Sequence, residues 1–176
     1  MRQVSRYHPL LAVLHWLVAL LIIAMLAIGF FALAIMPNDD PHKIDILEVH
    51  MAAGMLILVL MFIRFIVRMC TARPPQLSTG NVLLDRIAPI AHYGFYVLIL
   101  LIVGTGYATG ILARLPAIVF ARSGQPLPLS FATLPTWTVH RALAIALVGL
   151  IVLHVVAACY HQFIKKDGLF RRMLFG

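Results

Sequence analysis

Four long apolar runs, at roughly 10–35, 48–70, 88–113 and 138–164, limit what this chain can become. Each is longer than the ~20 residues an α-helix needs to cross about 30 Å of hydrocarbon. The runs are continuous rather than alternating, and a membrane barrel needs more strands than would fit here. With 62% of 176 residues hydrophobic and 11% charged, a soluble domain of this size could not bury its apolar surface. The expectation is an all-α membrane protein: a four transmembrane helix up-down bundle forming one domain over residues 1–176, with no internal repeat. The first run lacks a small-residue cleavage site and is expected to remain as a span.

The connections set the orientation. Residues 36–48 form a short loop bounded by proline, and 73–86 form a polar loop with proline and glycine. The longer 114–136 segment carries Pro116, Pro126, Pro128 and Pro135, which forbid a regular span. Its apolar content suggests a segment that lies on the membrane surface and caps the bundle. Arg2, Arg6, Arg64, Arg68, Arg73, Arg86, Lys165, Lys166, Arg171 and Arg172 fall on one side. Lys43, Arg114, Arg122 and Arg141 fall on the other, near Asp39, Asp40, Asp45 and Glu48. The more basic side is expected to be cytoplasmic, with both termini there. The net charge of +8 then reflects flanks of spans, not a nucleic-acid partner. Cys70 and Cys159 form no C-x-x-C motif, and near the cytoplasmic face they are not expected to pair.

Eight histidines in so apolar a chain need a reason. His8 and His42 fall outside the spans and read as surface residues. His50 and His140 come to the outer end on different helices, while His15, His92, His154 and His161 lie toward the inner end. Imidazole at membrane depth is costly unless it has a role. Two imidazoles facing each other across a bundle are natural axial ligands for a haem iron. His140 and His154 are fourteen residues apart, which brings them within about 40° of one another around a helix and roughly 21 Å apart along it. That spacing suits two stacked haems. At i+4, His15 has Ala19, His50 has Gly54, His140 has Ala144 and His154 has Ala158, whereas His92 has Tyr96 and His161 has Lys165. Small neighbours favour the pairs His50–His140 and His15–His154. Gly149, midway between His140 and His154, would admit a neighbouring helix or a macrocycle.

Arg64 follows His50 by fourteen residues and so shares its face at inner depth. A cation there suits a haem propionate, as does Arg68 one turn on. Arg141, beside His140, suits the outer propionates or an anionic substrate. The bland readings are snorkelling arginines at helix ends and histidines that only pack. A metal-cation transporter would want carboxylates near the midplane, and these spans have none.

These motifs resemble the bacterial cytochrome b561 family of small di-haem membrane proteins. They are LHW at 14–16, VHMAAG at 49–54, AHYGFY at 91–96, WTVHRALA at 137–144 and LHVVAACYHQF at 153–163, and they run over essentially the whole chain. The resemblance implies four haem ligands at His15, His50, His140 and His154, two haem b groups, and a bacterial inner (cytoplasmic) membrane location. It further implies electron transfer between the outer face and membrane quinone, with superoxide as donor and ubiquinone as acceptor in the superoxide oxidase reading. His92 and His161 would then hydrogen-bond a quinone or relay protons. The basic 114–136 segment with Arg141 suggests a local positive potential for superoxide. Trp16 and Trp137 read as interfacial anchors.

Two functions remain. One is a di-haem quinone oxidoreductase acting alone or as a homodimer in lipid. The other is a haem-bearing anchor for a dehydrogenase or hydrogenase, fed by a periplasmic electron donor protein. The short stretch after the fourth span favours the first.

Overall fold

The computed structural model describes residues 4–75, 77–78 and 80–173. Arg2, counted above for orientation, lies outside them. Four helices are long and apolar enough to span a membrane. Helix α1 covers Pro9–Ile28 and runs on through a π-helical turn, Gly29–Leu33. Helix α2 covers His42–Cys70 and α3 covers Val82–Leu112. Helix α4 covers Pro135–Cys159 and continues as a π-helical turn, Tyr160–Lys165.

Local chemistry sets the helix ends. Pro9 opens α1 in the first-turn position where its missing N–H costs nothing, and His8 caps it by accepting from the Leu10 amide (3.3 Å). His8 is thus a helix cap. Helices α2 and α3 each begin six residues before the apolar runs at 48 and 88. Asp40 Oδ1 accepts from the His42 amide (2.9 Å), and Asn81 Oδ1 from the Leu83 amide (2.9 Å). These capped polar turns extend helices that hydropathy alone truncates. Pro89 lies inside α3. Arg114 and Lys166, at φ 55° and 54°, close α3 and the α4 extension in the left-handed region common at helix ends.

Helix α1 packs on α2 and α3 on α4, and the two hairpins meet through α2 and α3. Val18, Ile57, Met61, Ile99 and Leu147 form the central buried layer, so every helix contributes to it. Most other large apolar side chains stay exposed, among them Leu20, Ile90 and Leu153. That is the surface of a bundle solvated by lipid tails rather than by water.

The 114–134 connection closes one end. A π-helical turn at Pro116–Phe120 buries Ile118 and Val119, and with Leu115 and Leu127 they pack on Leu47 of α2. Asn38 donates to the Pro128 carbonyl (2.6 Å), joining the cap to the first loop, and Thr109 Oγ1 of α3 donates to Thr136 Oγ1 of α4 (2.8 Å) beneath it. Arg122 bridges Asp45 (2.9 Å) and Glu48 of α2. The acids of the first loop and helix start therefore reach over to the long segment, which is not the isolated basic patch suggested above. At the other end the Tyr7 amide donates to Arg172 O (3.2 Å) and Trp16 Nε1 to Met173 O (2.9 Å), so the two ends of the described chain share one face.

Val119 is fully buried and Leu129 fully exposed in this cap. Val119→Ala is expected to cost about 1–3 kcal/mol by leaving a cavity, lowering the thermal unfolding midpoint in detergent. Leu129→Ala should leave that midpoint unchanged.

Candidate functional site

The up-down order brings the start of α2 beside the start of α4, and the start of α1 beside the end of α4. His50 and His140 thereby meet at the capped end, with ring centres 6.3 Å apart and planes at 74°. His15 and His154 meet at the other end, again 6.3 Å apart, with planes at 64°. The two expected pairs are thus brought together with the same separation, on either side of the central apolar layer.

The surroundings of the rings differ. His140 Nδ1 donates to the carbonyl of Ile102 on α3 (2.8 Å), leaving Nε2 for another partner. His50 Nδ1 is buried without a hydrogen-bond partner. Gly29 lies under His50: a methyl group there would be 3.6 Å from Cε1. Gly106 lies under His140 and leaves no slack, since a methyl group would be 3.0 Å from Cε1. Gly106 falls in the glycine-marked GTGYATG run at 104–110, whereas Gly29 stands alone in its apolar run. A methyl at Gly54 or Gly149 would meet nothing within 4 Å, so no neighbouring helix presses on either.

The lower level holds a third ring. His92 lies 5.7 Å from His154, and Phe95 5.4 Å. His92 Nδ1 bonds the Ala88 carbonyl one turn back (2.7 Å). The i+4 comparison set His92 aside because of Tyr96; in the fold the Tyr96 hydroxyl is turned to Arg64 instead, accepting from Nη1 (2.6 Å). His161 turns away to the carboxylate of Asp167. His92 and His161 therefore stand apart: one joins the lower pair and the other ties down the chain after α4.

Arg64 is buried, and its Nε, like that of half-buried Arg68, has no hydrogen-bond partner. Arg64 is close enough to His15, His92 and His154 to interact with them electrostatically. A buried guanidinium with a free donor is an incomplete anion site. The Arg68 guanidinium also lies 6.0 Å from the centre of the Tyr93 ring. Arg141 is exposed and stacks on Trp137, 5.7 Å from the ring centre.

This donor set suits a haem better than a bare ion. Among the described residues no group of three or more His, Cys, Asp or Glu side chains converges on a common point, as a tetrahedral zinc site requires. A porphyrin brings four nitrogens of its own and asks the protein for two axial ligands. Two imidazole nitrogens on one metal set their ring centres about 6 Å apart, close to the observed separation.

Comparison with known proteins agrees in kind. Residues 6–176 match the family model described as prokaryotic cytochrome b561. The chain is also 30% identical over 174 residues to cytochrome b561 homolog 2 of Escherichia coli (strain K12), covering 97% of this chain and 92% of that protein. The four-helix membrane bundle and the full-length match together place the chain in the prokaryotic cytochrome b561 family, as a bacterial multi-pass membrane protein with a role in electron transfer.

Proposed function

We infer that the chain holds two haem b groups, one between His50 and His140 and one between His15 and His154, and passes electrons across the membrane to ubiquinone. The observation that carries this reading is the pair of matched 6.3 Å imidazole separations on either side of one apolar layer. Bound haem supplies a one-electron ferric/ferrous carrier at each level. The chain's part is to hold and tune it. The Ile102 carbonyl fixes the tautomer of His140, presenting Nε2 to the metal. Arg64 and Arg68, with their unsatisfied Nε atoms, hold propionate carboxylates at the lower level. Arg141 is exposed at the capped end and attracts an anion there.

The end where Tyr7 meets Arg172 bears Arg6, Arg73, Arg86, Lys165, Lys166, Arg171 and Arg172, so it faces the cytoplasm and the capped end the periplasm. The donor at the periplasmic end is superoxide. In the net reaction two superoxide anions are oxidised to dioxygen, and one ubiquinone takes up two electrons and two protons. His92 and His161 near the cytoplasmic end serve quinone or its protons: the Asp167 carboxylate holds Nδ1 of His161 and leaves Nε2 to a partner. The protein works in lipid alone or as a homodimer. The second reading, an electron-transfer anchor for a dehydrogenase or hydrogenase, is favoured by the neutralisation of Arg122 by Asp45 and Glu48, which weakens the positive field over the capped end.

Three outcomes follow. His50→Ala and His140→Ala each lose one haem of two, and His15→Ala and His154→Ala each lose the other, read by pyridine-haem quantitation and the reduced visible spectrum. His92→Ala keeps both; loss of the lower haem there would make His92 the partner of His154. In stopped-flow mixing, superoxide reduces the purified protein much faster than it dismutates, and added ubiquinone reoxidises it. Reduction no faster than spontaneous dismutation would leave the anchor reading.

A further inference from the structure

The periplasmic-end pair is supported by a helix that contributes no ring to it. Helix α3 presents Ile102 and Gly106, one turn apart, to His140 of α4. The Ile102 carbonyl accepts a hydrogen bond from His140 Nδ1 (2.8 Å). At Gly106 a methyl group would stand 3.0 Å from Cε1 and 3.1 Å from Nδ1, so any side chain there must move the ring. The Thr105 hydroxyl shares one hydrogen between the carbonyls of Leu101 (2.8 Å) and Ile102 (3.0 Å), so it draws on the acceptor that holds His140. The rings of His15, His50 and His154 have no such two-point support among the described residues.

We propose that Gly106 is a positioning residue for the metal at the His50–His140 level: with the Ile102 carbonyl it fixes the plane and tautomer of His140 and so sets the redox behaviour of that centre alone. The hydrogen bond controls which nitrogen faces the metal and how basic it is, and the missing side chain lets the Nδ1–Cε1 edge of the ring approach α3 closely enough to make it. This inference rests on the haem reading above. Glycine is otherwise a poor choice inside a helix, and replacing it by alanine ordinarily favours the helix. Helix propensity alone therefore predicts that Gly106→Ala is harmless or stabilising, and it is the contact with His140 that makes an added methyl group costly.

The test compares the full-length protein, Gly106→Ala and Gly104→Ala after detergent extraction. Gly104 lies on the same helix, where a methyl group meets nothing within 4 Å. Redox titration followed by visible absorbance, ferric electron paramagnetic resonance and circular dichroism are read on each. In Gly106→Ala one of two redox components disappears or shifts by at least about threefold in its reduction equilibrium, the size of a weakened neutral hydrogen bond. The other component and the helix content are unchanged, and Gly104→Ala matches the parent. Unchanged components and resonances in Gly106→Ala, or an equal disturbance in Gly104→Ala, overturn the proposal. If Gly106→Ala does not accumulate, Thr105→Val is read the same way. A shift of one component that Thr105→Ser does not show supports the cradle, and no shift overturns it. A parent protein without two redox components would sink the haem reading itself; two normal components in both parent and Gly106→Ala sink only this inference.

Discussion

The meeting of imidazoles from separate helices at two levels of one bundle is the constraint on which the rest of this structure depends. An imidazole facing lipid is expensive, and two that face each other with ring centres about 6 Å apart suit a shared metal. His50 and His140 meet near the capped end, His15 and His154 near the other, and the Val18, Ile57, Met61, Ile99 and Leu147 layer keeps the levels apart. Helix order, antiparallel packing and the fourteen-residue spacing in α4 all serve that arrangement. The bundle otherwise buries little of itself, as expected where lipid rather than water surrounds the helices.

The two levels are not copies of each other. The capped level has a backbone acceptor on α3, glycines beneath both rings, and a cap anchored by Val119 and by Arg122 across to Asp45 and Glu48. The lower level has a third histidine, an aromatic neighbour in Phe95 and two arginines with unsatisfied Nε atoms. Unequal surroundings are what a protein uses to give two identical cofactors different potentials, because ligand basicity and nearby charge act on each centre separately.

Much of this was legible before folding. Hydropathy found four spans because each apolar run is long and unbroken, and the helical repeat found the facing of His140 and His154. Hydropathy does not reach the first turns of α2 and α3, where Asp40 and Asn81 satisfy backbone amides at the helix starts and so let polar residues be helical. The neighbours of His92 along its own helix do not reveal its approach to His154, which depends on how α3 is turned against α4. The Arg122 bridge and the partner of Gly106 follow the same rule: both are contacts between segments far apart in sequence, and the GTGYATG run marks the glycine without naming the ring it meets.

The central claim is tested most directly by counting haem in the purified, full-length protein. Pyridine-haemochrome quantitation against protein mass, with the dithionite-reduced visible spectrum, should give two b-type haems per chain. Well-folded protein carrying none, or carrying one that survives loss of both His50 and His140 and also of both His15 and His154, would contradict it.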